Sequence, residues 1–108
     1  MTFRERQVTL VGPDGVAPGR LAWLWRGEGD VVMSLTGPPG HAEVTGPDLF
    51  TALTALRRHL EPAGWSIAVQ GARRGARPSD THPTRVYVPD SPGHPQMLAD
   101  ADPALLNS

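Results

Sequence analysis

One stretch of the chain has the apolar spacing of an amphipathic helix, and we predict a helix over Pro47–Leu60. Its leucines recur four, three and four residues apart, which places them along one side of a helix (Leu49, Leu53, Leu56 and Leu60). Thr45 or Gly46 is the predicted cap at the start. Pro62 and Gly64 end the helix, because proline restricts the residue before it and glycine accepts a left-handed conformation.

Alternation of apolar and polar residues predicts strands on both sides of this helix. Four strands precede it, and the first three are separated by turns rich in Gly, Pro and Asp (Gln7–Val11, Arg20–Arg26 and Val31–Thr36). His41–Val44 is a short edge strand, Trp65–Val69 follows the helix, and Thr84–Val88 is the last strand. The predicted fold class is therefore α+β, with a twisted, mostly antiparallel sheet of about five strands and one main helix packed on one face.

Two packing questions stay open at this level. The last strand directs either Val86 and Val88 or Arg85 and Tyr87 inward. The second strand carries apolar residues on both sides (Leu21, Trp23 and Trp25 against Ala22 and Leu24), and one helix covers only one of them. The other side is covered by another chain or by the tail, through Met97, Leu98, Leu105 and Leu106.

Composition predicts one small domain with a loose tail. The 108 residues include 12 prolines and 12 glycines, and only 39% are hydrophobic, which is typical of long loops. We predict a single α+β domain over residues 1–89 and a Pro-rich, acidic tail over residues 90–108 that is poorly ordered or loosely packed. No apolar run approaches the ~20 residues of a membrane span, and the charged residues 1–7 lack a following signal-type apolar segment. A cytoplasmic protein without membrane contact is the expectation.

The absence of cysteine excludes disulfides, thiolate metal sites and a cysteine nucleophile. Ser79, Asp80 and His82 have the residue types of a hydrolase triad, but no nucleophile-elbow pattern surrounds the serine. The histidines lack dense metal-ligand spacing. We therefore predict no catalytic residue, no metal and no cofactor.

Arginine is concentrated in one loop, Gly71–Pro83. Three guanidinium groups fall within five residues there, and such groups bind phosphate or carboxylate with two parallel hydrogen bonds. The candidate binding residues are the loop arginines with two neighbours (Arg73, Arg74, Arg77, Ser79 and Arg85). A solvated hairpin loop, a contact surface for an acidic partner and a small anion site all remain open.

The stretch from Leu53 to Pro78 also resembles a family of small uncharacterised bacterial proteins. The shared motifs are Leu-Arg-Arg-His-Leu-Glu-Pro-Ala-Gly-Trp, then Gly-Ala-Arg-Arg and Pro-Ser. The family pattern has Asn where this chain has Gln70, Asp where it has Gly75, and Gly-Met where it has Asp80-Thr81. The resemblance implies a helix–strand–loop–strand segment and no established activity.

The predicted function is that of a small non-enzymatic interaction protein that binds a protein partner or forms a homodimer, in an immunity- or antitoxin-like role. The alternative is an accessory protein, or an accessory enzyme, that holds a small anionic ligand with Arg73, Arg74 and Arg77. Nucleic-acid binding through Arg57, Arg58 and the same loop is a weaker alternative, because the net charge is −1. The three tryptophans are either core residues or an aromatic platform on the uncovered side of the sheet.

Overall fold

The fold is α+β and is built on a five-stranded antiparallel sheet. The structure is a computed structural model, and it describes residues 2–27, 29–72, 76–78, 85–87, 95–101 and 106. In chain order the elements are β1 (Thr2–Gly12), β2 (Gly15–Gly27), β3 (Asp30–Gly37), β4 (Gly40–Gly46), α1 (Leu49–Leu60), β5 (Ser66–Ile67), β6 (Arg77–Pro78) and β7 (Val86–Tyr87). The curled sheet has the order β4-β3-β2-β1-β5, and β6 pairs with β7 in a separate two-stranded sheet. The predicted class, strand number and antiparallel pairing are confirmed.

The first four strands are longer than the sequence predicted. Tight turns join them, and Gly12 pairs with Gly15 across Pro13 and Asp14. The greatest differences are at β1 and β2, which begin at Thr2 and Gly15 although the predictions began at Gln7 and Arg20. The extra residues of β1 find partners along the long β2, so backbone pairing extends the strand through a stretch without an apolar pattern.

Helix α1 begins two residues after Pro47, the predicted start, and Asp48 is its N-cap. A carboxylate oxygen of Asp48, Oδ1, accepts a hydrogen bond from the backbone N–H of Thr51 at 2.7 Å. The predicted caps, Thr45 and Gly46, belong to β4 instead. The carboxylate of Asp48 satisfies one of the free N–H groups of the first turn, which explains why the helix starts there.

The core joins alternate strand residues to the buried stripe of the helix. The strands contribute Val8, Leu10, Leu21, Val31, Met33 and Leu35, and the helix contributes Leu49, Ala52, Leu53, Leu56 and Leu60. Leu10 lies against two glycines of neighbouring strands: a Cβ at Gly19 or Gly37 would be 2.7 or 2.9 Å from Leu10 Cδ1. Because glycine has no side chain, these two positions leave the space that Leu10 fills.

The predicted strand Trp65–Val69 is wrong beyond Ile67. Ser66 and Ile67 pair with β1, the backbone N–H of Ala68 donates to the carbonyl oxygen of Thr9 at 2.9 Å, and Val69 forms an isolated antiparallel bridge with Asp100. The burial does not alternate here, because Ile67, Ala68 and Val69 are all buried. The backbone N–H of Val69 donates to the carbonyl oxygen of Ile67 at 2.9 Å, and a short 3-10 helix, Gln70–Ala72, follows. This turn carries the chain out of the sheet and into the core.

The described residues of the tail pack against the domain. Met97, Leu98 and Leu106 are buried in the same core as the helix. The backbone of residues 97–101 is hydrogen-bonded to residues 68–71, with N···O distances of 2.7–2.9 Å. A Cβ at Gly71 would be 2.6 Å from Met97 Cγ and 2.7 Å from Leu53 Cδ2, so Met97 lies beside the helix.

Met97 and Leu98 thus belong to the same core cluster as the helix leucines. Leu105 lies outside the described residues, as do residues 90–94. The predicted domain boundary at residue 89 and the loose packing of the tail stay predictions.

The last predicted strand, Thr84–Val88, is represented by β7, which pairs with Arg77–Pro78 of the predicted loop rather than with the main sheet. Val86 is buried and Arg85 is half-buried, which agrees with the first of the two inward orientations at that position. Val88 lies outside the described residues. Among the described helices, none is long and apolar enough to cross a membrane.

Candidate functional site

The structure describes only part of the predicted arginine site. Arg73, Arg74 and Ser79 lie outside the described residues. Arg77 is exposed in β6, and Arg85 is half-buried and forms an isolated antiparallel bridge with Gln96. In the β6–β7 ladder Arg77 pairs with Tyr87, whereas Arg85 precedes the ladder and pairs with Gln96. The binding role of the loop stays a prediction.

The loop begins in the core and not in solvent. Gly71 and Ala72, its first two residues, are buried within the 3-10 helix. The predicted Gly71–Pro83 loop is therefore wrong at its start, because residues 70–72 are held by the tail: the backbone N–H of Gly71 donates to the carbonyl oxygen of Met97 at 2.7 Å. The first residues of the loop are therefore held in place by the tail, whatever the rest of the loop contacts.

The helix arginines differ in their accessibility. Arg57 is half-buried, whereas Arg58 is exposed. Burial lowers the pKa of Arg57, Glu61 raises it, and the neighbouring Arg58 lowers it. A guanidinium that is partly removed from water is less available to a nucleic-acid backbone, so this pair offers little support for the nucleic-acid alternative.

A cavity that the sequence analysis did not predict lies between the first two strands, the start of α1 and the tail. Its volume is about 410 Å³, and it is lined by Arg4, Arg6, Trp23, Trp25, Leu49, Gln96, Leu98 and Ala99. Register explains the convergence of the charged and aromatic residues, because Arg4 pairs directly with Trp23 and Arg6 with Leu21. The signal in the sequence was the shared period of two, Arg4 with Arg6 and Trp23 with Trp25, on strands joined by one tight turn.

The two arginines of the cavity have different partners. Arg6 Nη2 lies 3.2 Å from Asp100 Oδ1, in an ion pair that fastens the tail to β1. Arg4 Nη1 donates to the carbonyl oxygen of Phe3 at 3.1 Å. Among the described residues, no carboxylate oxygen lies within ion-pair distance, 4.0 Å, of the guanidinium group of Arg4.

Two buried donors at the cavity lack partners among the described residues. These are Arg6 Nε and Trp23 Nε1. A buried donor without an acceptor costs about 1–3 kcal/mol, so such groups are rare in folded proteins. Both donors belong to residues that line the cavity.

The tryptophans are neither fully buried nor an exposed platform. All three are half-buried and pack against the core. Trp23 and Trp25 line the cavity, while Trp65 lies over the β1–β2 turn, where a Cβ on Gly12 would be 2.7 Å from its ring. Trp23 and Trp25 are therefore partly accessible to a ligand. The ring of Trp65 packs directly on Gly12 at the other end of the hairpin.

A second feature is a row of apolar side chains at positions that alternate with the core residues. Phe3 pairs with Leu24, and Leu24 pairs with Val32, so the three form a row across β1, β2 and β3 that we call the Phe3 row. Phe3 is 56% exposed, and Leu24 and Val32 are half-buried. Val16, 67% exposed, points to the same side at the far end of the hairpin, about 26 Å away along the strands.

Charged residues surround the Phe3 row. Glu5 forms an ion pair with Arg20, whose Nη1 lies 3.2 Å from Glu5 Oε1. Arg26 makes two hydrogen bonds of 3.0 Å to the carboxylate of Asp30, and this contact raises the pKa of Arg26. An apolar centre with a polar rim is the usual arrangement of a protein contact surface.

The residues that the structure describes hold no group of three or more metal-ligating side chains. The chain matches no known protein family and no curated protein. The resemblance of residues 53–78 to small bacterial proteins, the bacterial source that it implies and the cytoplasmic location all stay predictions.

Proposed function

We propose that this chain is a small non-enzymatic interaction protein that binds a protein partner through the side of its sheet that carries the Phe3 row. The observation that carries the proposal is the 56% exposure of Phe3 at the end of a continuous apolar row. An immunity- or antitoxin-like partnership is the concrete form of this role, and the identity of the captured partner tests it.

The arrangement of the helix supports this choice of surface. The buried residues of α1 share one core with the strand positions Leu21, Val31 and Met33, which alternate with the Phe3 row. We infer that the helix packs on one face of a twisted sheet and leaves the other face to solvent. Met97 and Leu98 join the helix-side core, so these tail residues add no cover to the Phe3 row.

The continuity of the row argues for a contact surface over scattered apolar side chains. Single exposed hydrophobic residues are common on protein surfaces and need no explanation. Here register places Phe3, Leu24 and Val32 directly beside one another on three strands. Burial of an exposed phenylalanine contributes about 1.5–3 kcal/mol when it is complete, enough for one residue to dominate a small interface.

The test compares two substitutions of exposed residues on the same side of the sheet. Phe3→Ser removes the most exposed member of the row, whereas Val16→Ser makes a similar change about 26 Å away along the hairpin. Tagged wild type and both variants are used to capture proteins from native lysate, with quantification by mass spectrometry. We expect a partner whose recovery falls at least about tenfold with Phe3→Ser, in keeping with a loss of ~1.4 kcal/mol, and is unchanged with Val16→Ser.

Self-association is measured in the same three proteins by light scattering. A wild-type dimer that dissociates with Phe3→Ser identifies the partner as a second copy of this chain. Equal capture by wild type and a folded Phe3→Ser variant, with no change in molar mass, refutes the assignment of this surface.

A further inference from the structure

The cavity beside Trp23 has the dimensions of a small-molecule site. Its volume of about 410 Å³ falls within the range of about 300–1,000 Å³ that ligand pockets occupy. It lies on the helix side, between β1, β2, the first residue of α1 and residues 96–99, and so is separate from the Phe3 row. Two of its walls are formed by the strands and the helix, so the fold itself sets the shape of the cavity.

The aromatic wall favours a flat, apolar ligand body. Trp23 and Trp25 are two residues apart on β2, so their side chains lie on the same side, about 7 Å apart. Both remain half-buried. Leu49 and Leu98 add apolar surface, and an aromatic ring that stacks on an indole contributes about 0.5–1.5 kcal/mol beyond the burial of its area.

The charged wall favours one negative charge. Arg6 already shares its charge with Asp100, whereas Arg4 has no carboxylate partner among the described residues. The described cavity thus has a single uncompensated guanidinium group, which matches a monoanion better than a doubly charged phosphate. A planar guanidinium binds a carboxylate with two parallel hydrogen bonds.

Two buried donors beside the cavity are unpaired among the described residues. Arg6 Nε and Trp23 Nε1 lie in residues that line the cavity, and both lack an acceptor in the part of the chain that the structure describes.

We propose that this cavity binds a small planar aromatic carboxylate, whose ring packs against Trp23 and Trp25 and whose carboxylate pairs with Arg4. The proposal stands apart from the protein-binding role of the Phe3 row, and either can fail alone. It places an anion site at the start of β1 and does not depend on the Gly71–Pro83 loop.

The probes are indole-3-acetate and its neutral analogue indole-3-acetamide, which share the ring and differ in charge. Binding to the full chain is followed by NMR of the three indole N–H groups. Trp65 is the internal control, because it contacts Gly12, about 26 Å from Arg4 along β1. We expect the carboxylate to shift the Trp23 and Trp25 signals, with assignments from single Trp→Phe variants, and to leave Trp65 unchanged.

Arg4→Gln tests the charge, and Arg58→Gln is the matched control because Arg58 is exposed and lies outside the cavity. We expect Arg4→Gln to weaken the carboxylate about tenfold or more and to leave the affinity for the amide unchanged. Arg58→Gln should change neither. An unshifted Trp65 signal in Arg4→Gln confirms that the variant is folded.

Three results would overturn the proposal. The first is an absence of shifts at millimolar carboxylate, and the second is an equal shift of all three indoles. The third is equal affinity for the carboxylate and the amide in the wild type, a result that does not require the variant to fold.

Discussion

At the scale of single residues, glycines mark the places where elements touch most closely. Gly46, the last residue of β4, lies against α1, and a Cβ there would be 2.9 Å from the backbone N of Ala52. The contact is with backbone, which cannot rotate away as a side chain can. Gly27, at the end of β2, has nothing within 4 Å of the same position.

Gly46→Ala should therefore destabilise the protein by about 1–3 kcal/mol, because the methyl group forces the helix away from the strand. Gly27→Ala is the control, and it should be neutral or stabilising by up to about 1 kcal/mol, since alanine restricts the unfolded chain. Urea unfolding measures both. Equal stability of the two variants would mean that the helix and β4 do not approach as closely as described.

At the scale of elements, the helix has a buried and an exposed side, and single substitutions distinguish them. Leu56 is fully buried, and Arg58 is exposed. Leu56→Ala should cost about 2–5 kcal/mol, as for buried leucines generally, whereas Arg58→Ala should cost little. Similar losses in thermal melts of the two variants would show that the assignment of the sides is wrong.

The elements that could be predicted from sequence are those whose burial follows a simple period. The β1–β4 meander and the helix follow periods of two and 3.6 between turns with strong local chemistry. The first residues of β1 were missed because Arg4 and Arg6 occupy positions that, further along the strand, hold Val8 and Leu10. The first residues of β1 form a strand because their backbone pairs with β2, and no alternation of apolar residues in the sequence indicates this pairing.

The cavity could not be predicted because its walls come together only through register and long-range packing. The β1–β2 register places Arg4 opposite Trp23, and Leu98, which is distant in sequence, also lines the cavity. The tail was expected to be loose because of its proline spacing and acidic character. Composition does not reveal that Met97 and Leu98 find buried places beside the helix.

At the scale of the whole molecule, the tail closes the core. Met97 is 1% exposed and fills the space above Gly71 beside Leu53. Met97→Ala should cost about 2–5 kcal/mol of unfolding free energy, whereas Met97→Leu keeps the volume and should cost less than about 1.5 kcal/mol. Urea unfolding of both variants checks this. An alanine variant as stable as wild type would show that the tail is not part of the core.

The arginines of the predicted loop act, on our hypothesis, outside the fold. Replacement of Arg73, Arg74 and Arg77 by serine should leave the melting temperature nearly unchanged, because exposed charge pairs are worth about 0–1 kcal/mol. Partner capture should weaken, and wild-type capture should fall with salt, since exposed charges are screened over ~10 Å at 0.1 M. Arg58→Ser is the control for loss of a surface charge, because Arg58 is exposed and lies outside both the loop and the Phe3 row. Unfolding of the triple variant would make the arginines structural, and full capture by a folded triple variant would make the loop a plain connection.

The position of Met97 also has a consequence during synthesis. The β1–β4 meander is complete at Gly46, but Met97 follows 51 residues later. At about 5–20 residues per second, roughly 3–10 seconds separate the two. The nascent chain thus has an incomplete core for seconds on the ribosome, so codons that slow translation between residues 47 and 97 should increase its dependence on chaperones.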